Sequence, residues 1–303
     1  MHVNDLTRVW IEPSTVCDIV CSMCNKNGKL AKDKFMSLQL FNNILDILSG
    51  FPNLNIIDFQ GLGEPLLNPD LVKMISAVTE KGIKSGITTN GTHLNAKMLG
   101  DLIDAGLDRI EVSIDGVGKT YEKIRRGASF EKLIGNLEET RELRDNIKSQ
   151  INFVMMDSTV DQLPDILYIA SAQKFKVVHA LHLCYGQKAL YQNGKLYGKD
   201  YGELIKLFSY SSDLAKEFGI KLILPILDGR NVNECELINH SFVIKGDGRV
   251  CPCCRLDDMG HAIGNILSDG VAIAGKLTQK NMVSSCSFCL KYLWNYGDIA
   301  PIS

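Results

Sequence analysis

The sequence predicts an α/β chain, with six β/α units curled into an open, partial (β/α)6 barrel and a small cysteine-rich unit behind it. Three observations predict this. From Thr7 to about Phe218, short apolar runs alternate with amphipathic stretches, the pattern of β/α units on a parallel sheet. Six such runs are too few to close an eight-strand barrel. The polar residues that stand out lie where those runs end, the place where parallel barrels keep their working groups. Strands are expected at 8–12, 55–60, 84–89, 108–113, 150–156 and 180–185. Helices are expected at 37–48, 69–81, 95–105, 129–146, 162–173 and 201–218. The barrel is assigned to 1–220 and the second unit to 221–303.

The first strand is the apolar run Val9, Trp10 and Ile11, ended by Pro13, and Cys17-Asp-Ile-Val-Cys21-Ser-Met-Cys24 follows it. Thiolates are soft ligands, suited to zinc or to iron–sulfur clusters. A closed zinc site wants four ligands, whereas a four-iron cluster on three cysteines leaves one iron open to a substrate or cofactor. The alternatives are a zinc knuckle or three unrelated buried cysteines.

The second strand ends in Gln60-Gly61-Leu62-Gly63-Glu64-Pro65. Glycines let backbone approach a ligand, and the carboxylate beside them can accept a hydrogen bond from an ammonium group. By itself the stretch also reads as a tight strand-to-helix turn. The third strand ends in Thr88-Thr89-Asn90-Gly91-Thr92, where Asn-Gly is turn chemistry. In the fourth, alternation places Glu111, Ser113 and Asp115 on one face and Val112 and Ile114 on the other, so a polar row looks into the barrel. The sixth places His182 and Cys184 on one face, as cavity lining or as core.

Together these motifs resemble the radical S-adenosylmethionine (radical SAM) superfamily. The C-x3-C-x2-C loop matches its signature, Gly61 to Pro65 is similar to its G-G-E-P motif with Leu62 as a departure, and Ser113 to Gly127 matches S-I-D-G followed by Y-x-x-I-R-x-G. The resemblance implies a [4Fe-4S] cluster on Cys17, Cys21 and Cys24, whose open iron chelates S-adenosylmethionine. It also implies an electron from flavodoxin or ferredoxin and a 5′-deoxyadenosyl radical that takes hydrogen from a substrate carbon. Gln60, Gly61, Gly63 and Glu64 would meet the amino group of the methionyl part. Thr89, Asn90 and Asp115 would face the cofactor. Ser113 and Arg125 would hold the methionyl carboxylate, with Arg126 as the competing choice. Arginine suits that task because its fork matches a carboxylate bidentately. Glu12 would act behind the site as an acceptor, and Met23 would lie near the adenine or simply pack.

Beyond Gly219 come Cys235, Cys251-Pro-Cys253-Cys254 and Cys286-Ser-Phe-Cys289, with a hairpin turning at Gly246-Asp247-Gly248. Small units gain stability from a metal staple. The pattern resembles the truncated SPASM domain called twitch, and that match implies a second [4Fe-4S] cluster on Cys235, Cys253, Cys286 and Cys289, zinc being the alternative. Cys251 and Cys254 are left over. Cys254 is expected to return a hydrogen atom to a substrate radical or to be a buried small residue.

A net charge of -2 without a basic tract argues against nucleic acid, and no apolar run reaches membrane-spanning length. Clustered cysteines without a signal peptide fit a reducing cytoplasm. The expected activity is hydrogen abstraction from a small polar substrate, an amino sugar or related carbohydrate, finished by Cys254 as an epimerase. The pattern is similar to the branches typified by neomycin C epimerase and 2-deoxy-scyllo-inosamine dehydrogenase. The alternatives are a dehydrogenase that uses the second cluster as electron acceptor, a ribosomal-peptide maturase and a zinc-stapled binding module. The maturase reading is disfavoured by a chain that opens at its first barrel strand.

Overall fold

The computed structural model describes residues 2–24, 34–183, 191–192, 195–225, 227, 239–253 and 261–277. In chain order its parallel strands are β1 (Arg8–Ile11), β3 (Ile56–Phe59), β4 (Lys84–Thr89), β5 (Arg109–Ser113), β7 (Lys148–Met155), β8 (Val177–His182), β11 (Lys221–Ile223) and β12 (Ser241–Ile244). Two short strands form a separate ribbon, β2 (Val20–Cys21) with β6 (Arg125–Arg126), and another joins β9 (Tyr191–Gln192) to β10 (Lys195–Leu196). The sheet order is β11-β8-β7-β5-β4-β3-β1-β12, continued antiparallel by β13 (Arg249–Cys251) and β14 (Gly264–Asn265). The fold is α/β with a mainly parallel sheet.

Helices α1 (Leu38–Leu48), α2 (Leu71–Glu80), α3 (Ala96–Asp104), α4 (Lys119–Ile124), α5 (Phe130–Glu139), α6 (Leu163–Ala172) and α7 (Tyr201–Glu217) lie between the strands. Their apolar stripes cover one face of the sheet. In α1, Phe41, Ile44, Leu45 and Leu48 fall at helical spacing and are buried, each contributing about 1.5–3 kcal/mol. They join Ile57, Phe59, Ile87, Ile110, Val112, Ile151, Phe153, Val178 and Ala180 in one core. The alternate strand residues, including Asp58, Gln60, Thr88, Arg109, Glu111, Gln150, Asn152 and His179, therefore face the other, inner side.

Three elements differ from expectation. The helix expected over 129–146 stops at Glu139 and resumes as a 3-10 turn, Leu143–Asn146. Its end is closed by the buried Arg144, whose Nη1 donates to Leu137 O at 2.9 Å and whose Nη2 donates to Gln173 O at 2.8 Å. A cation on the last carbonyls is a stable helix end. Replacing Arg144 with Ala takes its donors from both carbonyls, leaving Leu137 O with the 3.4 Å contact from Thr140 Oγ1, and removes the stacking on Phe175, 4.5 Å away. Urea unfolding is expected to show a loss of about 3 kcal/mol.

The strand expected over 180–185 starts at Val177 and ends at His182. His182 shares the parity of the core residues Val178 and Ala180 and so lies on the helix side, stacked on Tyr197 and in contact with its hydroxyl, and the inner-face histidine is His179. Cys184 lies outside the described residues. The third difference is that β11 and β12 lie beyond residue 220 and belong to the same sheet, β12 pairing directly with β1 through Arg8↔Ser241 to Ile11↔Ile244. The hairpin expected near Gly246 is present, and its first strand extends the parallel sheet.

Candidate active site

The cysteine loop leaves the C-terminal end of β1 and is fastened on two sides. On one, the β2–β6 ribbon sets Cys21 opposite Arg125, and Ser22 N donates to Ile124 O at 2.8 Å. On the other, Asp18 accepts hydrogen bonds from Thr92 Oγ1 at 2.6 Å and Asn90 Nδ2 at 3.0 Å, with His93 Nε2 at 3.3 Å. Burial alone would raise the Asp18 pKa, but these bonds and His93 hold it below its usual value. Asn90 Nδ2 also lies 3.9 Å from Cys17 Sγ. Asn90 thus clamps the cysteine loop. Cys17, Cys21 and Cys24 are all half-buried. Burial pushes the Cys21 thiol up to about 11, with Arg125 pulling the other way.

The glycine loop packs against the same segment. Glu64 N donates to Val16 O at 2.8 Å. A Cβ on Gly63 would stand 2.4 Å from Ser14 O and 2.5 Å from Val16 O, and one on Gly61 would stand 2.4 Å from Glu12 Cγ. Only glycine permits this approach. Glu64 is 2% exposed and accepts from Thr89 Oγ1 at 2.6 Å, Asn90 N at 2.7 Å and Leu66 N at 3.1 Å. No basic side chain among the described residues forms an ion pair with it. Burial outweighs these hydrogen bonds and pushes its pKa up to about 7. A carboxylate offers roughly four acceptor sites, so one stays open. That open position can accept from one further donor.

The raised Glu64 pKa has a measurable consequence for the iron-free chain. The folded state favours the protonated carboxyl, so this group's stabilisation is complete below about pH 4.5 and is lost as pH rises through 7. Relative to a Glu64→Gln chain, wild-type stability is expected to fall by about 3 kcal/mol between those limits, read from urea unfolding at several pH values. A pH-independent difference would contradict it.

Asp115 leaves the expected polar row. It lies past the end of β5, fully buried, its Oδ1 accepting from Val154 N at 2.8 Å and its Oδ2 from Arg125 Nε at 2.9 Å and Nη2 at 2.5 Å. Burial opposes the Arg125 charge, yet Asp115, Cys21 and Tyr121 overcome it and raise the pKa. Arg126 is exposed and donates to Val20 O. Ser113 stays half-buried on the inner face, in register with Asn152.

Below the loops the inner face carries a continuous polar chain. Arg8 Nε lies 3.4 Å from Asp58 Oδ2, Arg109 Nη2 donates to Asp58 Oδ1 at 2.6 Å, and Arg109 also pairs with Glu111. Glu111 Oε2 accepts from Thr88 Oγ1 at 3.2 Å and Asn152 Nδ2 at 2.6 Å. Gln60 Oε1 accepts from Thr88, and Gln150 Nε2 donates to Asn152 Oδ1 at 2.7 Å beside His179. Two arginines balance two carboxylates, so the surface is polar without net charge. Sequence reasoning missed Asp58, Arg109, Asn152 and His179, although the same two-residue alternation that found Glu111 marks Arg109 on its own strand and the others on β3, β7 and β8.

Glu12 is buried at the top of β1, where its Oε1 accepts from Leu62 N at 2.9 Å and Lys245 Nζ at 2.6 Å. Cys251 packs with Trp10 and Val243 as a small apolar residue of the inner face, and Cys253 follows it, also buried. Cys235, Cys254, Cys286 and Cys289 lie outside the described residues. No helix among the described residues is long and apolar enough to cross a membrane.

The model of the Radical SAM superfamily matches residues 11–167, from the end of β1 to the middle of α6. The chain is 28% identical over 282 residues to the tungsten-containing aldehyde ferredoxin oxidoreductase cofactor-modifying protein of Pyrococcus furiosus, covering 82% of this chain and 70% of that protein. It is 36% identical over 163 residues to a probable GTP 3′,8-cyclase of Methanococcus maripaludis, covering 53% of each, so it spans about half the length of that relative. Among solved structures, Streptococcus suis SuiB bound to S-adenosylmethionine superposes with a TM-score of 0.69 at 17% identity, over 89% of this chain and 65% of that one. At that identity the likeness is one of fold.

Proposed function

We propose, on the premise that this chain belongs to the radical SAM superfamily, that it removes a hydrogen atom from a small polar substrate held on the inner face of its sheet. The donor set fits the cofactors: three half-buried cysteines in one loop, and a buried carboxylate without a cation beside a glycine cradle. When bound, the cluster and S-adenosylmethionine supply a one-electron reductant and an abstractor of hydrogen atoms. The chain's own residues bind and orient. Cys17, Cys21 and Cys24 would hold the cluster, Glu64 would take the ammonium group, and Ser113 would meet the methionyl carboxylate.

The observation that carries the substrate reading is the polar chain from Arg8 through Asp58, Arg109 and Glu111 to Asn152. Donors and acceptors in balanced charge suit a ligand rich in hydroxyl and amino groups, such as an amino sugar. In the finer reading Cys254 returns a hydrogen atom to the opposite face of the substrate carbon. Its S–H bond breaks, the new C–H bond forms, and a thiyl radical remains for one electron and one proton to restore. Flavodoxin or ferredoxin would deliver that electron. Net inversion without oxidation makes the enzyme an epimerase.

Incubation with candidate amino sugars in deuterated water tests this. One deuterium is expected at the inverted carbon, and a Cys254→Ala chain is expected to lose inversion while still cleaving S-adenosylmethionine. A product oxidised by two electrons, with Cys254→Ala indifferent, would point to the dehydrogenase reading and to a second cluster as acceptor. A further reading, action on a cofactor-type molecule, is favoured by the likeness to the Pyrococcus protein over most of this chain. Exclusive turnover of such a molecule would displace the sugar reading.

A further inference from the structure

Two sequence features, Glu12 and the hairpin at Gly246, meet at the top of β1 without a part in the chemistry above, and β14 backs the hairpin. Glu12 is 1% exposed, and its two oxygens reach two separate pieces of chain. Oε1 accepts from Leu62 N, inside the glycine loop, at 2.9 Å. The same oxygen accepts from Lys245 Nζ at 2.6 Å, and Oε2 accepts from Gly246 N at 3.3 Å. Lys245 is itself 4% exposed.

The hairpin end of this link is held firm. Lys245 N donates to Arg249 O and Gly248 N to Lys245 O, both at 2.8 Å. Asn265 Nδ2 donates to Asp247 O at 3.1 Å, while its Oδ1 accepts from Leu267 N at 3.0 Å and so caps the short helix Ile266–Asp269. Glu12 N closes the arrangement by donating to Ile244 O at 2.9 Å. The result is a strut that runs from Asn265 through the hairpin turn and Lys245 to Glu12, and from Glu12 to the backbone of Leu62.

We propose that Lys245 is a positioning residue for S-adenosylmethionine, setting the Gly61 to Glu64 loop through its buried ion pair with Glu12. A buried carboxylate stripped of its cation does not stay where it was, because the charge seeks water or another donor. Its movement withdraws the acceptor of Leu62 N, and Leu62 lies between the two glycines whose close packing fixes Glu64. This inference rests on the reading that the glycine loop faces the methionyl group.

The test uses full-length protein reconstituted with iron and sulfide, and titrates S-adenosylmethionine against the spectrum of the reduced cluster by electron paramagnetic resonance. Lys245→Met is expected to weaken binding by about 10-fold, the scale of a lost supporting contact behind a ligand, with iron content and the cofactor-free spectrum unchanged. The double variant Glu12→Gln, Lys245→Met removes both charges and keeps an amide oxygen for Leu62 N. It is expected to regain affinity to within about 3-fold of wild type, the non-additivity of two residues acting as a pair. It also carries the test if Lys245→Met alone fails to fold. Unchanged affinity in Lys245→Met, or a double variant no better than the single one, would overturn the proposal. A wild-type chain whose spectrum ignores S-adenosylmethionine would overturn the underlying reading, and this one with it.

Discussion

A Cys21→Ala chain is expected to lose about four irons and all cleavage of S-adenosylmethionine, while its fold persists. Cys21 is held in place by backbone, not by its side chain: the β2–β6 ribbon pairs it with Arg125, and the neighbouring Ser22 N binds Ile124 O. Alanine keeps those bonds. The sulfur contributes little packing where it stands half-buried, so its removal spares the core and, on the proposed reading, takes away a cluster ligand. With two thiolates left, a four-iron cluster has too few anchors to survive.

The contrast is Cys251→Ala. That thiol is fully buried against Trp10 and Val243, and its loss is expected to lower stability by about 1 kcal/mol with the iron retained. Iron and sulfide assays with chromatography of 5′-deoxyadenosine separate the two variants. Full iron in Cys21→Ala would remove the loop from the chemistry altogether. If the second cluster exists, the variant should still carry about four irons, and the count then distinguishes one cluster from two.

The site was legible in the sequence where chemistry is local. Three cysteines in eight residues are readable because ligand spacing is a property of one loop. Gly61, Gly63 and Glu64 by themselves read equally well as a strand-to-helix turn, and it is the contact of Gly63 and Glu64 N with Val16 O that sets them against the cysteine loop. What the sequence left open is decided across strands. Parity puts Asp115 in the row of Glu111 and Ser113, but β5 ends at Ser113, and beyond a strand's end alternation has no authority. Its partner, Arg125, sits ten residues on, in a ribbon that exists only because Val20 and Cys21 pair with it. For His182 both core and cavity lining stay open in the sequence, because alternation groups residues without saying which face is inner. The core partners Val178 and Ala180, which share its parity, put His182 in the core and His179 inside.

The edge of the sheet was less legible still. Nothing in Ser241 to Ile244 announces a parallel neighbour, since an apolar run pairs equally well in either direction until tertiary structure chooses. The choice here places β12 beside β1, and with it Lys245 beside Glu12, 233 residues apart in sequence. A buried lysine looks like any surface lysine in a sequence. Only its partner gives it away.

Gly63→Ala is expected to be the most damaging single methyl group in the barrel. The ideal Cβ at this position would stand 2.4 Å from Ser14 O, 2.5 Å from Val16 O and 2.7 Å from Ser14 C, all backbone atoms. Backbone cannot rotate out of the way as a side-chain tip can, so residues 14–16 must shift. That segment runs directly into Cys17, and Val16 O is the acceptor for Glu64 N. One methyl group therefore disturbs both Cys17 and Glu64. Overpacking of this kind costs about 3 kcal/mol, and a misplacement near 1 Å at reacting groups costs about 100-fold in rate. Gly100→Ala is the matching control, because no atom lies within 4 Å of its Cβ, and in mid-helix α3 the change should stabilise by about 1 kcal/mol. Melting curves and S-adenosylmethionine cleavage by both variants check this. If Gly63→Ala cleaves at the wild-type rate, the cysteine loop and the glycine loop do not work as one unit.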